Sequence, residues 1–156
     1  MLSLAIPGCG LFELRHCVLD FSGTLSVDGQ LLEGVRERLG LLAEQLEVHV
    51  LTSDTHGGAR QALVGVPGTL HILQGERHEL QKQQHVVRLG AAGVVAIGNG
   101  NNDVSMLQAA RLGIAVCAAE GCSVAALTAA AVLVGSPLDA LDLLLNPKRL
   151  TATLRR

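Results

Sequence analysis

The chain has 156 residues, 49 % of them apolar, and a formal net charge of −2 from 12 basic and 14 acidic side chains. That length supports one domain with its own core. The near balance of charge argues against a broad nucleic-acid or membrane surface, and no apolar run reaches the roughly 20 residues that a membrane-spanning helix needs. Trp and Tyr are absent and Phe occurs twice, so the core must be aliphatic, as suits a parallel sheet covered on both faces. The start, Met-Leu-Ser-Leu-Ala-Ile-Pro-Gly, lacks the basic flank and long apolar stretch of a secretory leader. Cysteines at 9, 17, 117 and 122 form no C-x-x-C pair and read as thiols of a reducing compartment. A cytoplasmic protein is the expectation.

In chain order, Leu2 to Ile6 and Leu11 to Leu14 read as two short strands around a Pro7-Gly8-Cys9-Gly10 turn, a flanking hairpin within residues 1–15. Cys17 to Phe21 reads as the first central strand, an apolar run ending in Asp20 before Ser22-Gly23-Thr24 turns the chain. Asp28-Gly29 between Ser26-Val27 and Gln30-Leu31 predicts a two-residue hairpin, a small flap beside Asp20. Leu32, Val35, Leu39, Leu42 and Leu46 make a helical stripe. Glu47 to Ser53 reads as a strand, Gly57 to Val64 as a short helix, Leu70 to Leu73 as a strand, and Glu76 to Leu89 as a polar helix stopped by Gly90.

Val94 to Ile97 reads as a strand running into Gly98-Asn-Gly-Asn-Asn-Asp103. A helix from Asn102 to Arg111, a strand from Gly113 to Val116, a helix from Ser123 to Ala130 and a weak strand from Ala131 to Val134 follow. Ser136-Pro137 is a helix start, the helix running to Leu145, and Pro147 opens a closing helical segment, 147–156. Strands alternating with helices predict an α/β fold: one doubly wound, mostly parallel sheet with helices on both faces, a single domain over 1–156.

Four segments fall where strands end, the edge at which ligands collect in such sheets. Asp20 can attack phosphorus. Asp20, Asp103 and the main-chain carbonyl of Ser22 can hold Mg²⁺, which offsets phosphoryl charge. The hydroxyls of Thr52 and Ser53 can donate to phosphoryl oxygens, as can main-chain N–H groups of the turn at Gly23 and Thr24. Lys82, one of two lysines in the chain, can add a point charge. Asn102 shares the last loop and joins the phosphate-binding set. The histidines at 16, 49, 56, 71, 78 and 85 form no ligand spacing; His49 and His71 read as packed strand residues, and His56 lies near the site without a role.

Asp20-Phe-Ser-Gly-Thr24, Thr52-Ser53-Asp54, Lys82 and Gly98-Asn-Gly-Asn-Asn-Asp103 resemble, in this order, the motifs of the haloacid dehalogenase superfamily. They are most similar to its small soluble proteins related to the phosphorylation domain of P-type ATPases, whose motifs read Asp-Lys-Thr-Gly-Thr, Leu-Thr-Gly-Asp and Gly-Asp-Gly-x-Asn-Asp. The likeness runs from Cys17 to Leu145. It implies the superfamily fold, an aspartyl-phosphate intermediate on Asp20, dependence on Mg²⁺ and a small phosphorylated substrate.

Two departures bear on activity. Ser22 stands where superfamily phosphatases carry a second Asp, the general acid and base, a role worth about 10²–10⁴-fold; cleavage should therefore be slow. Asn99 stands where an Asp would hold the metal, and it offers a carbonyl oxygen without charge. No cap domain fits between Asp20 and the first helix or between Thr52 and Lys82. The site should be open, with selectivity left to the flap, to the substrate's own bulk, or to a neighbouring subunit in a homo-oligomer. Two other readings compete. One is a degenerate phosphate-binding or interaction module with little turnover. The other is a receiver domain phosphorylated on Asp54, which carries an acidic pair after the first strand and a lysine after the last metal ligand; here no acidic pair follows the first strand and Lys82 precedes Asp103.

Overall fold

The structure is a computed structural model, and it describes residues 1–54 and 57–156; His56 lies outside the described residues. Six strands form the central sheet: β3 (His16–Asp20), β6 (Glu47–Thr52), β7 (Thr69–Ile72), β8 (Val94–Gly98), β9 (Leu112–Val116) and β10 (Val132–Val134). Their order is β10-β9-β8-β3-β6-β7 and every pairing is parallel. From β3 the chain builds outward on one side through β6 and β7, then returns to the other side of β3 with β8. Strand order therefore reverses between β3 and β8, where the carboxyl ends of the two strands open a crevice.

Alternation along each strand feeds two cores. Cys17, Leu19, Val48, Val50, Ile97 and Ile114 pack under α1 (Val35–Ala43), α6 (Pro137–Leu145) and α7 (Pro147–Leu154). Val18, Leu51, Val94 and Ala96 pack under α3 (His78–Arg88), α4 (Val104–Ala109) and α5 (Val124–Ala129). The inner strands β8 and β9 are buried along their whole length, and β3 after its first residue, which is why they read as apolar runs with little polar alternation. Outside the sheet, β1 (Leu2–Ile6) and β2 (Gly10–Leu14) form an antiparallel hairpin that buries Leu2, Leu4, Ile6, Phe12 and Leu14 in the first core. The flap is β4 (Ser26–Val27) against β5 (Gln30–Leu31). Its turn residues Asp28 and Gly29 have φ of 51° and 78°, the pair of positive angles that a tight two-residue hairpin requires.

Element boundaries differ from the sequence reading where backbone geometry overrides periodicity. The first helix starts at Val35 rather than Leu32, because Gly34 takes a left-handed conformation with φ 83°. The short helix α2 covers only Ala59–Ala62, preceded by Gly58 at φ 85°. The expected helix from Asn102 is a 3₁₀ turn over Asn101–Asp103 followed by α4. That turn closes with the Asp103 N–H donating to the Gly100 carbonyl at 3.0 Å, and it folds the Asp103 side chain back over its own loop. Among the described residues, no helix is long and apolar enough to cross a membrane.

Candidate functional site

Asp20 is the last residue of β3 and is 5 % exposed. Asp103, wholly buried, sits in the turn after β8, the neighbouring strand. Lys82 reaches both from α3. Its side chain and Val86 are the buried residues of an otherwise polar helix. The ammonium Nζ donates to Asp20 Oδ1 at 2.6 Å and to Asp103 Oδ1 at 2.7 Å. Three charges remote in sequence thus meet in a space from which solvent is almost excluded.

Each carboxylate is held at its other oxygen. Asp103 Oδ2 accepts from the N–H groups of Asn99 and Gly100, both at 2.9 Å. This close fold requires glycine at 98, since a Cβ there would lie 2.6 Å from Asp103 Cγ. Asp20 Oδ2 lies 3.1 Å from Thr24 Oγ1, which is also 3.1 Å from Asn99 Oδ1. The Asn99 amide is oriented by its Nδ2–H, which donates to the Gly121 carbonyl at 3.1 Å. The Thr24 hydroxyl has a single proton between two acceptors. That proton can serve only one of them at a time, Asp20 Oδ2 or Asn99 Oδ1.

Burial, and after it the Asp103 charge, push the Asp20 carboxyl from 3.8 up to about 7, against the opposing pull of Lys82 and Thr24. Burial alone would lower Lys82, but the two carboxylates outweigh it and hold the ammonium above its ordinary value. With both carboxylates ionised the cluster carries one net negative charge in a dry space, which is costly.

That excess charge tests the fit of a divalent cation. The oxygens in reach are those of two carboxylates and the Asn99 amide carbonyl, hard donors of the kind Mg²⁺ takes. The Ser22 carbonyl accepts none of the backbone hydrogen bonds recorded for the 21–26 turn among the described residues. A cation of charge +2 would relieve the repulsion that raises Asp20. The residues present fit the group.

The other expected residues divide. Thr52 closes β6 beside Asp20, is 1 % exposed, and its Oγ1 accepts from the Asp54 N–H at 2.9 Å. Its hydroxyl proton is therefore directed to another acceptor. Ser53 and Ser22 are half-buried at the same edge. Within the turn, the Gly23 N–H donates to the Ser26 carbonyl at 3.0 Å and the Thr24 N–H to the Phe21 carbonyl at 3.3 Å, so both have partners before any ligand arrives. Asn102 is exposed on the 3₁₀ turn and makes none of the contacts that join Asp20, Lys82 and Asp103. The sequence reading missed the Thr24 side chain as the link between Asp20 and Asn99, and it missed Gly98 as the space into which Asp103 folds. It also missed Gly121 as the anchor of the Asn99 amide. The positions of Thr24 and Gly98 within the quoted motifs were the available signal for two of these.

At the rim, the Asp28 N–H of the flap donates to Glu120 Oε2 at 3.1 Å, tying the flap to the loop after β9. Asp54 does not reach the carboxylate cluster through its side chain: its Oδ1 accepts from the Ala59 N–H at 3.0 Å and starts α2.

Comparison with known proteins accords with this geometry. A family model described as haloacid dehalogenase-like hydrolase matches residues 77–131, the segment carrying Lys82 and Asp103. An uncharacterized protein of Methanocaldococcus jannaschii is 48 % identical over 62 residues, spanning 40 % of this chain and 67 % of that protein. Among solved structures, a 3-deoxy-D-manno-octulosonate 8-phosphate phosphatase from Moraxella catarrhalis, in complex with magnesium, phosphate and the sugar, superposes with a TM-score of 0.67 at 17 % identity. That match covers 91 % of this chain and 94 % of the phosphatase. A zinc-transporting P-type ATPase matches with a TM-score of 0.59 at 23 % identity, over 79 % of this chain and 20 % of the pump. Residues 77–131 thus carry the likeness to haloacid dehalogenase-like hydrolases, and the fold over most of the chain is the one these solved structures share.

Proposed function

We propose that this chain is a Mg²⁺-dependent phosphohydrolase that acts on a small phosphomonoester through a phosphorylated Asp20. The observation that carries the reading is Lys82 Nζ bridging Asp20 and Asp103 at 2.6 and 2.7 Å in a buried cluster at the point where strand order reverses.

Asp20 in its ionised form attacks phosphorus, and the ester oxygen departs with the electron pair of the broken bond. Water then attacks the acyl phosphate and returns Asp20 and inorganic phosphate. Lys82 offsets charge on the equatorial oxygens. Thr52, whose oxygen is already occupied as an acceptor of the Asp54 N–H, donates its proton to one of them. Asp20, Asp103, Asn99 and the Ser22 carbonyl would hold Mg²⁺, which when bound supplies positive charge at the phosphoryl group. Ser22, standing at the general-acid position, cannot transfer a proton at neutral pH. The leaving oxygen must therefore depart largely unassisted, and activated esters should react best. Ser53 and the turn at Gly23 and Thr24 border the phosphate, and Asn102 guards the solvent side of the loop.

The substrate class is a soluble phosphorylated metabolite in the cytoplasm, as the phosphorylated sugar of the related phosphatase suggests.

Release of inorganic phosphate from an activated aryl phosphate, with and without Mg²⁺, tests the assignment. Turnover should be slow, absent in Asp20→Asn, and higher by roughly tenfold or more in Ser22→Asp. Ser22 also favours a second reading, a phosphate-binding module with little turnover. Metal-dependent binding of phosphate, with no hydrolysis of any ester even in Ser22→Asp, would select it.

A further inference from the structure

The face of the sheet that α3 covers holds a second polar cluster, made of imidazoles. His16 begins β3, His49 lies in β6, His71 in β7 and His85 in α3. The His49 ring centroid lies 5.4 Å from that of His16, 5.8 Å from His71 and 5.2 Å from His85, and the His71 and His85 rings are 4.4 Å apart. Strand register explains the convergence. His71 pairs with Leu51 across β6 and β7, and His49 alternates onto the same face as Leu51. His85 follows Lys82 by three positions, nearly one helical turn away. Separations of 22 and 14 residues along the chain hide the cluster from any reading of motif spacing.

We propose that His49, His71 and His85 form a binding site for one divalent transition metal of the zinc class, separate from the phosphate pocket. Each contributes a ring nitrogen, and these nitrogens lie within 4.8 Å of one another. His49 Nδ1, His71 Nε2 and His85 Nε2 are buried and have no hydrogen-bond partner. Three orphaned lone-pair donors in one cluster are unusual in a folded chain, where buried polar atoms are nearly always paired. All three rings favour the neutral form that a metal requires: burial lowers His49, His71 and His85, the last to about 4. The outer contacts are also those of a metal-ligating histidine. His49 Nε2 lies 3.3 Å from His16 Nδ1, whose lone pair can accept a proton held on His49 Nε2. With the His49 proton on Nε2, its Nδ1 keeps the lone pair.

Imidazole nitrogens select zinc, nickel or copper over Mg²⁺, which takes oxygen. The two sites would therefore sort their ions by donor chemistry. Zinc sits about 2.0–2.1 Å from each nitrogen, so occupancy requires the three rings to close by about an ångström. His71 and His85 are only half-buried, which gives the ion a route in from the β7 edge and leaves a fourth position for water. A bound ion would pin α3, and with it Lys82, to β6 and β7.

The test uses the untagged chain, stripped with a chelator, carrying Asp20→Asn so that the phosphate pocket cannot contribute. Cobalt(II) alone is titrated, followed by zinc. One equivalent of cobalt should bind with the intense visible absorption of a tetrahedral site, zinc should displace it, and His71→Ala or His85→Ala should each weaken binding by roughly tenfold or more. Nitrogen-15 imidazole spectra, which need no further variant, should shift at His49, His71 and His85 on zinc addition. Absence of stoichiometric binding, undiminished affinity in both alanine variants, or zinc-induced shifts confined to other residues would overturn the proposal. Because Asp20 is already neutralised, either result leaves the phosphohydrolase reading standing on its own evidence.

Discussion

Replacing Asp20 by asparagine should abolish turnover and at the same time stabilise the metal-free protein at alkaline pH. The folded carboxyl is raised from 3.8 to about 7, so the native state binds the proton more tightly than the unfolded chain. Its contribution favours folding fully below the ordinary carboxylate value and is lost as pH rises through about 7. A displacement of about three pKa units corresponds to ~4 kcal/mol of penalty above pH ~7. The Asp20→Asn variant escapes that penalty but gives up a charge-assisted hydrogen bond to Lys82, worth about 1.5–3 kcal/mol. The net gain is then about 1–2 kcal/mol, or roughly 2–8 °C in a chain of this size. The geometry accommodates the change, because the introduced amide can donate to Thr24 Oγ1, which donates onward to Asn99 Oδ1. Thermal unfolding in chelator at about pH 8.5 and about pH 5.5, either side of the raised carboxyl, measures it. A stabilisation present at the higher pH and shrinking at the lower agrees with the reasoning. A variant less stable than the native chain at the higher pH refutes the claim that the buried pair is over-charged.

Other perturbations follow from the same contacts. Lys82→Met leaves two carboxylates facing one another without a cation and should destabilise the chain by about 3–5 kcal/mol at neutral pH, with Mg²⁺ restoring part of the loss in a urea melt. Gly98→Ala places a Cβ 2.6 Å from Asp103 Cγ; it should lower both Mg²⁺-dependent activity and thermal midpoint. Asn99→Asp adds a third carboxylate to the oxygen set and should tighten Mg²⁺, measured by calorimetry, by about tenfold, while making the metal-free protein less stable. Affinity of the native chain for Mg²⁺ should rise with pH through about 7, as Asp20 gives up its proton.

Much of this architecture was legible in the sequence because parallel strands buried on both faces are continuous apolar runs, and their ends are marked by Asp20, Thr52 and Gly98. The stop at Gly90, the cap at Ser136 and the Asp28-Gly29 turn are local chemistry that the chain states directly. Helix starts were less visible, since the apolar stripe continues through Leu32 while Gly34 has already left helical space. Lys82 was legible as a candidate by its rarity and by its place in the order of motifs, just before β8. That a polar helix buries it to 1 % exposure is a consequence of tertiary packing. The histidines carry the opposite lesson: His49, His71 and His85 converge through strand register and helix phase, neither of which spacing along the chain encodes.

The most direct measurement of the central claim is mass analysis of the chain quenched in acid during turnover of an activated phosphate ester with Mg²⁺. With Ser22 slowing hydrolysis of the intermediate, the peptide containing Asp20 should gain one phosphoryl group, labile to hydroxylamine and absent from Asp20→Asn. Phosphate release by the native chain with the label on a different residue, or undiminished release by Asp20→Asn, would contradict it.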